Sequence, residues 1–435
     1  MMFQAQSFTF GEYKVDTNCS VVTFSYTVEF RFGIKKTFTD RLYLEGVQSG
    51  SWAKVSEKVL QQTLQSLSLM LGINYWSIFP TNNMHIDSFK LTREQSSFWN
   101  SLYLNGLSEF FFFEKIDFKN LINFPFDENY VAPQATHIEV SERALLLNGA
   151  GKDSVLSAEI LKKNGVPFDF FAFQPTPAHK RIGNLVGAKT VAVTRKRDWV
   201  AESYADFFSI SSSYPSVSTF TFTALLLAEL MDYNKIVFSN ERSADFGNFD
   251  YLGLHVNHQW CKSTEAEKMI NEYTQKYITP DISSASLLRT YSELEIVKQF
   301  SKYPKYLNQV TSCNTYFFLP SIVQKLLPRS YWCKKCPKCV FLFASYSAFL
   351  PKKDLVNIFG ADLYKKKSLL PLFRSILGIE GNKPLDCVGE PDEMILAMHL
   401  ARSRNEYAGE AAMQLFEDHF PRTKNYSELE EKVFC

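Results

Sequence analysis

Residues 21–32, VVTFSYTVEFRF, alternate strictly: Val22, Phe24, Tyr26, Val28, Phe30 and Phe32 fall on one face, Thr23, Ser25, Thr27, Glu29 and Arg31 on the other. That is the period of a half-buried strand. Gly33 and the following KKTFTDRLYLEG predict a hairpin partner. Over 51–71, SWAKVSEKVLQQTLQSLSLML, the period lengthens. Val55, Val59, Leu60, Leu64, Leu67 and Leu71 share one side of a predicted helix, and Gly72 supplies its stop. Two aromatic stretches follow, INYWSIFP and NGLSEFFFFEKIDF, before Pro133 punctuates the chain. Residues 1–135 are expected to form an N-terminal α+β module.

From about residue 140 the rhythm becomes strand, helix, strand. RALLLNG, FDFFAFQ, AKTVAVTRK and KIVFSNE are apolar runs of strand length, separated by the helical stretches DSVLSAEILKKNG and VSTFTFTALLLAELMDYN. Buried strands joined through helices predict an α/β domain with a parallel sheet, here over 136–265. Residues 266–435 read as a mostly helical C-terminal region interrupted by a knot of cysteines. No internal repeat or low-complexity tract is visible.

Bulk composition narrows the class. The 435 residues carry 46% hydrophobic, 21% charged and 15% aromatic side chains, 39 of them Phe, with a net charge of +1. Thick cores follow from the rings, and so balanced a charge gives no field for nucleic acid or an anionic membrane. The longest uncharged apolar run, Val340 to Leu350, is too short to span a bilayer, and MMFQAQSFTFGEYK lacks the pattern of a secretory signal. The expectation is a soluble, cytoplasmic protein with no nucleic-acid or membrane partner.

The segment ALLLNGAGKDSVLSAEIL places two glycines, a lysine, an aspartate and a serine between a buried strand and a helix. Such a junction presents free N–H groups and a helix dipole to an anion. The P-loop pattern fails, since Leu146 stands in place of its first glycine and Asp153 follows the lysine. The dinucleotide pattern lacks its third glycine, because Ser154 occupies that position. The segment Gly149-Ala150-Gly151-Lys152-Asp153-Ser154 instead resembles the S-G-G-x-D-S loop of ATP pyrophosphatases. Backbone N–H groups, the Ser154 hydroxyl and the Lys152 ammonium suit pyrophosphate oxygens, and Asp153 suits a phosphate-bound Mg²⁺. Ala150 replaces the second glycine, an exchange that fits a residue keeping negative φ.

Beyond the strand KIVF, a polar stretch gathers Asn240, Glu241, Arg242, Asp245, Asn248, His255, Asn257, His258, Gln259 and Lys262. In an open α/β sheet that is the ligand edge, shared with the glycine loop. Further on, WCKKCPKC bunches Cys333, Cys336 and Cys339. Three thiolates at this spacing suit a closed structural zinc site, with Cys313 as fourth ligand and Cys387 as its rival.

Together these motifs resemble the UDP-N-acetylmuramoyl-L-alanyl-L-glutamate epimerases, a branch of the ATP-pyrophosphatase (adenine nucleotide alpha-hydrolase-like) superfamily. The resemblance rests on NGLSEF at 105–110, GAGKDS at 149–154, NERSADFGN at 240–248, VNHQWCKS at 256–263, CPKC at 336–339 and KPLDCVGEPDE at 383–393. It implies an enzyme of peptidoglycan precursor synthesis that uses ATP and Mg²⁺. The terminal L-Glu of a UDP-linked muramoyl dipeptide would be activated as an acyl-adenylate and returned as D-Glu, with release of AMP and pyrophosphate. Gly149, Gly151, Lys152, Asp153, Ser154, Asn240 and Asn248 are then the expected nucleotide-binding residues. Lys152, Asp153, Glu241, His258 and Lys262 are the expected catalytic ones, with Cys261 a further candidate for moving the α-proton. The aromatic segments around Tyr75, Trp76 and Phe110 to Phe113 are candidates for a second, UDP-binding surface. The alternative is another adenylating enzyme of the superfamily, such as a cyano-deazaguanine-synthase-like or tRNA-thiolating one.

Overall fold

The computed structural model describes residues 5–210, 213–317, 332–421 and 425–434. Eleven strands lie among them: β1 Ala5–Asp16, β2 Val21–Phe30, β3 Lys35–Glu45, β4 Met84–Ile86, β5 Ala144–Leu147, β6 Phe168–Phe173, β7 Thr190–Lys196, β8 Lys235–Phe238, β9 Phe249–Tyr251, β10 Leu254–Val256 and β11 Ser283–Ser286. Nine join one sheet in the order β11-β8-β5-β6-β7-β3-β2-β1-β4, while β9 and β10 form a separate hairpin. The run from β11 to β7 is parallel, and β3, β2 and β1 continue it antiparallel. The fold is therefore α/β with a mixed sheet, followed by a helical C-terminal region.

The period-two face of β2 is buried at Val22, Phe24, Tyr26, Val28 and Phe30, as the alternation predicts. Phe32 departs from it. The strand ends at Phe30, and Phe32 turns to φ 64° with 89% of its surface exposed. The first long helix spans Glu57–Trp76, so Gly72 lies inside it rather than at its end. A Cβ at Gly72 would come within 2.4 Å of the Phe10 ring and 2.9 Å of Tyr26. This glycine lets the helix lie close against β1 and β2. Tyr75, Trp76, Phe110 and Phe111 are all buried in the same core, which removes them as a nucleotide-stacking surface.

β11 was not visible in the sequence. It is a four-residue SSAS segment at the sheet edge, held by backbone pairing to β8. The sheet thus runs through residue 135 and ends on a strand beyond residue 265. Its faces feed two cores. Leu145 and Phe171 join the core that holds Phe24, Trp99, Phe222 and Ile282. Leu146 and Phe170 join Val340, Phe343, Met394 and Phe416 of the C-terminal helices.

The junction between the parallel and antiparallel halves carries a buried ion pair. Arg195 of β7 donates through Nε to both Asp40 oxygens, at 3.1 and 3.0 Å, and through Nη1 to Asn74 Oδ1 at 2.7 Å. Asp40 on β3 is fully buried. Removing one partner strands the other charge out of water. Asp40→Ala is expected to lower unfolding free energy by about 3–5 kcal/mol, whereas the double change Asp40→Leu with Arg195→Met costs far less. Urea unfolding of the three proteins checks the difference.

Candidate active site

The order of the parallel strands fixes where a ligand can sit. The chain builds β5, β6 and β7 toward one side and then returns to place β8 on the other side of β5. In open α/β sheets the carboxyl edge at such a reversal, here between the loops leaving β5 and β8, is where ligands bind. Three neighbouring strands deliver residues there: β5 the glycine loop, β8 the stretch from Asn240, and β11 the turn leading to Glu293.

The glycine loop is shaped by its neighbours. Asn148 Oδ1 accepts from Ala150 N at 2.9 Å, and Asn148 Nδ2 donates to the His179 carbonyl at 3.2 Å. Ala150 is driven to φ 54° and is fully buried. The negative φ expected of it is not adopted, so it holds a left-handed conformation that costs an L-residue about 1–2 kcal/mol. Gly151 precedes the helix Lys152–Lys163, whose first turn receives no side-chain cap. A Cβ on Gly151 would meet Ser312 Oγ at 3.2 Å, because residues 311–312 pack over the loop. Gly149 has open space around it. Ser154 Oγ donates to the Gly151 carbonyl at 3.2 Å.

Lys152 is 2% exposed, and its ammonium donates to Asp153 and to Glu293. Burial opposes its charge, but those two carboxylates outweigh the loss of water and hold its pKa above the ordinary value. Glu293 is raised by burial and by Asp153 and Glu241, with the ammonium pulling the other way. Glu393 tightens the same corner by accepting from Leu294 N at 2.8 Å, and burial pushes its carboxyl up to about 7.

The polar stretch after β8 divides into scaffold and chemistry. Asp245 accepts from Thr264 N and Oγ1 at 2.6 and 2.7 Å, Asn257 donates to the Ala244 carbonyl at 2.9 Å, and exposed His255 pairs with Asp250 at 2.8 Å. Asn240 donates to Ser286 Oγ at 2.9 Å. Asn248 accepts from His258 N at 3.0 Å and donates to the Pro384 carbonyl at 3.3 Å, so it joins two loops. Arg289 donates to the carbonyls of Glu241 and Lys262 at 3.2 and 2.7 Å, fixing both backbones.

Half-buried Lys262, beside buried Glu241, and half-buried His258 then meet a residue from the C-terminal region, Cys387. Lys262 Nζ lies 3.2 Å from Cys387 Sγ and 3.2 Å from Gln259 Oε1. His258 Nδ1 is 2.8 Å from Glu109 Oε2. Burial opposes the His258 charge, yet Cys387 and Glu109 raise it to about 10. Burial likewise opposes the Cys387 thiolate, while Lys262, Lys338 and His258 lower it to about 6. Lys262 is held above its ordinary value by Cys387 and Glu241 against the effect of burial. Cys261, by contrast, is pushed up by burial.

Cys313, Cys333, Cys336 and Cys339 converge with their sulfurs within 4.8 Å of one another, and Cys387 stands apart from them. Cys336 stands immediately before the helix Pro337–Ser347, which carries Cys339 on its first turn. Thiolates around zinc, with Zn–S bonds of about 2.3 Å, sit roughly 3.8 Å apart, so this arrangement suits that ion.

Residues 2–287 match the profile of the MurL N-terminal domain and residues 309–431 that of the MurL C-terminal domain. The chain belongs to the MurL family. Three relatives carry the name UDP-N-acetyl-alpha-D-muramoyl-L-alanyl-L-glutamate epimerase. That of Xanthomonas oryzae pv. oryzae is 31% identical, over 82% of this chain and 78% of its own. Those of a Micromonospora species and Salinispora tropica are 28% and 26% identical, each over 96% of this chain and 91% and 89% of their own. Among solved structures, a predicted subunit of tRNA methyltransferase from Methanocaldococcus jannaschii overlaps 37% of this chain and 75% of its own, at 20% identity and a TM-score of 0.26.

Sequence reasoning did not single out Glu109, Glu293, Cys387 or Glu393 as crevice residues of this MurL-family chain. Three of them lie in stretches that carried the resemblance, NGLSEF and KPLDCVGEPDE. Glu293, at the start of the helix Glu293–Phe300, sits in an ordinary amphipathic pattern that gave no signal.

The thiolate–imidazolium pair predicts a pH signature. Cys387 is depressed from 9.0, so its contribution to stability is full above 9.0 and is lost as pH falls through about 6. His258 is raised from 6.5, so its contribution is full below 6.5 and is lost as pH rises through about 10. The opposing slopes leave stability flat between. Cys387→Ser is expected to abolish the acid-side loss and leave a decline toward high pH, read from urea midpoints across the range.

Proposed function

We propose that this chain is the epimerase of UDP-N-acetylmuramoyl-L-alanyl-L-glutamate, inverting the terminal L-Glu to D-Glu at the expense of ATP. The observation that carries the reading is the placement of two groups of residues after neighbouring parallel strands. An uncapped helix N-terminus follows a glycine loop at the strand reversal, and the stretch after the adjacent strand β8 supplies the His and Lys of an ion-paired His, Lys and Cys cluster. Both ends belong to stretches matched by the MurL domains.

ATP phosphates fit the loop because the first-turn N–H groups have no side-chain cap, and anions bind such groups. The ammonium of Lys152 would shift part of its bonding from Asp153 and Glu293 to phosphate oxygen. Asp153, freed in part, is placed to orient Mg²⁺, whose preference is for carboxylate and phosphate oxygens. ATP supplies an activated carboxyl. A carboxylate resists loss of its α-proton because the new carbanion would lie beside a negative charge, and an acyl-phosphate mixed anhydride removes that charge. Lys262 and Arg289 supply positive charge to the crevice, which favours the enolate.

No helix among the described residues is long and apolar enough to cross a membrane, which fits a substrate carried on a soluble nucleotide. The sulfurs of Cys313, Cys333, Cys336 and Cys339 would hold one structural zinc ion, with no ligand position left for chemistry.

Two measurements test these statements. Purified protein with ATP and Mg²⁺ is expected to release AMP only when UDP-N-acetylmuramoyl-L-alanyl-L-glutamate is added, and chiral analysis is expected to show D-Glu. AMP without inversion would place the chain among other adenylating enzymes, and no AMP would overturn the reading. Metal analysis is expected to find one zinc per chain. Cys313→Ser should reduce that content severalfold and lower the melting temperature, and unchanged metal content would remove Cys313 as a ligand.

A further inference from the structure

The α-proton needs a group to take it, and the candidates in the crevice differ in what their partners allow. His258 presents Nδ1 to the Glu109 carboxylate at 2.8 Å and also interacts with the Cys387 side chain. With two anionic partners the imidazole holds its own proton and is a poor base. Lys262 directs its ammonium at Cys387 Sγ and Gln259 Oε1, 3.2 Å from each, and lies near Glu241. It too is kept cationic. Both cations thus serve the same sulfur.

Three parts of the chain converge to build this arrangement. Glu109 comes from the helix Ser108–Phe113 in the N-terminal region, His258 and Lys262 from the segment between β10 and the helix Thr264–Tyr277, and Cys387 from the turn before the helix Pro391–Ser403. A thiol placed only for packing does not need an ammonium 3.2 Å from its sulfur and an imidazolium beside it. Glu241 shares the electrostatic surroundings of Lys262 and of Glu293, which connects the sulfur to the Lys152 corner of the glycine loop.

We propose that Cys387 is the catalytic residue that removes the α-proton of the activated glutamate, as a thiolate held in place by Lys262 and His258. The inference rests on the epimerase reading above. In the step, the C–H bond breaks, the sulfur takes the proton, and the C–H electron pair passes into the enolate of the activated carbonyl. Water protonates the enolate from its other face. The hydroxide left by that transfer is neutralised by the proton that the Cys387 thiol gives back to solvent. A thiolate poised near neutrality can both accept and release the proton, as general acid–base work requires.

The test runs wild type, Cys387→Ser, Cys387→Ala and the exposed-site control Cys19→Ser in D₂O with ATP, Mg²⁺ and UDP-N-acetylmuramoyl-L-alanyl-L-glutamate. AMP release, deuterium at the glutamate α-carbon and D-Glu are measured together. For both Cys387 variants, deuterium incorporated per AMP released is expected to fall by about 10²–10⁴-fold, while Cys19→Ser keeps the wild-type ratio. A ratio within about tenfold of wild type in either Cys387 variant that still releases AMP would overturn the proposal. So would a substrate thioester on Cys387 in the intact mass of acid-quenched wild type, since that would make the sulfur a nucleophile. If both variants lose AMP release through misfolding, wild type alkylated at Cys387 by iodoacetamide decides by the same ratio. Absence of substrate-dependent AMP in wild type would instead overturn the epimerase reading.

Discussion

A lysine ammonium withdrawn from water has to be matched by anions withdrawn with it, and the burial of Lys152 organises the rest of the crevice. Its partners Asp153 and Glu293 bring an excess of negative charge. Glu241 adds to that excess and is answered by Lys262, Lys262 by Cys387, Cys387 by His258, and His258 by Glu109. From Glu241 onward the charges alternate along this path to the N-terminal helix, and each of these is offset out of water by its neighbours of opposite sign. The C-terminal helices complete the enclosure, since Glu393 fixes the start of the helix that bears Glu293.

The same dependence links the two halves of the nine-stranded sheet. Residues in the first third must reach His258 with a carboxylate, and β3 pairs directly with β7 to hold them there. On the opposite side, residues 311–312 cover Gly151 immediately before Cys313 enters the thiolate cluster. The cysteine knot therefore stands one residue from the roof of the nucleotide loop. A metal there would act on the site through the position of that roof.

Much of this was legible in the sequence. Apolar runs at strand length located β5 to β8, because buried parallel strands have little polar alternation to confuse them. The glycine loop, the polar stretch after β8 and the bunched cysteines declared their chemistry through residue type and spacing. What stayed hidden depended on tertiary placement. β11 has no apolar pattern because its strand character comes from the backbone of β8. Gly72 looked like a helix stop when it is a contact with Phe10 and Tyr26. Ala150 offered no hint of its positive φ, which Asn148 and the packing above it impose. Cys387 read as a rival zinc ligand because nothing local shows that Lys262, 125 residues earlier, points at it.

The pairing of β3 with β7 also bears on how the chain is made. Leu42 lies opposite Arg195, so the outer edge of β3 must wait for a partner encoded about 150 residues downstream. At roughly 5–20 residues per second, translation leaves that edge open for about 8–30 seconds. An open strand edge invites pairing with the wrong chain. Asp40 is buried, and the arginine delivered at the register of Arg195 satisfies that carboxylate. Any other strand docking on the nascent hairpin would bury an unmatched charge. The ion pair that fastens the finished sheet thereby guards the unfinished one on the ribosome.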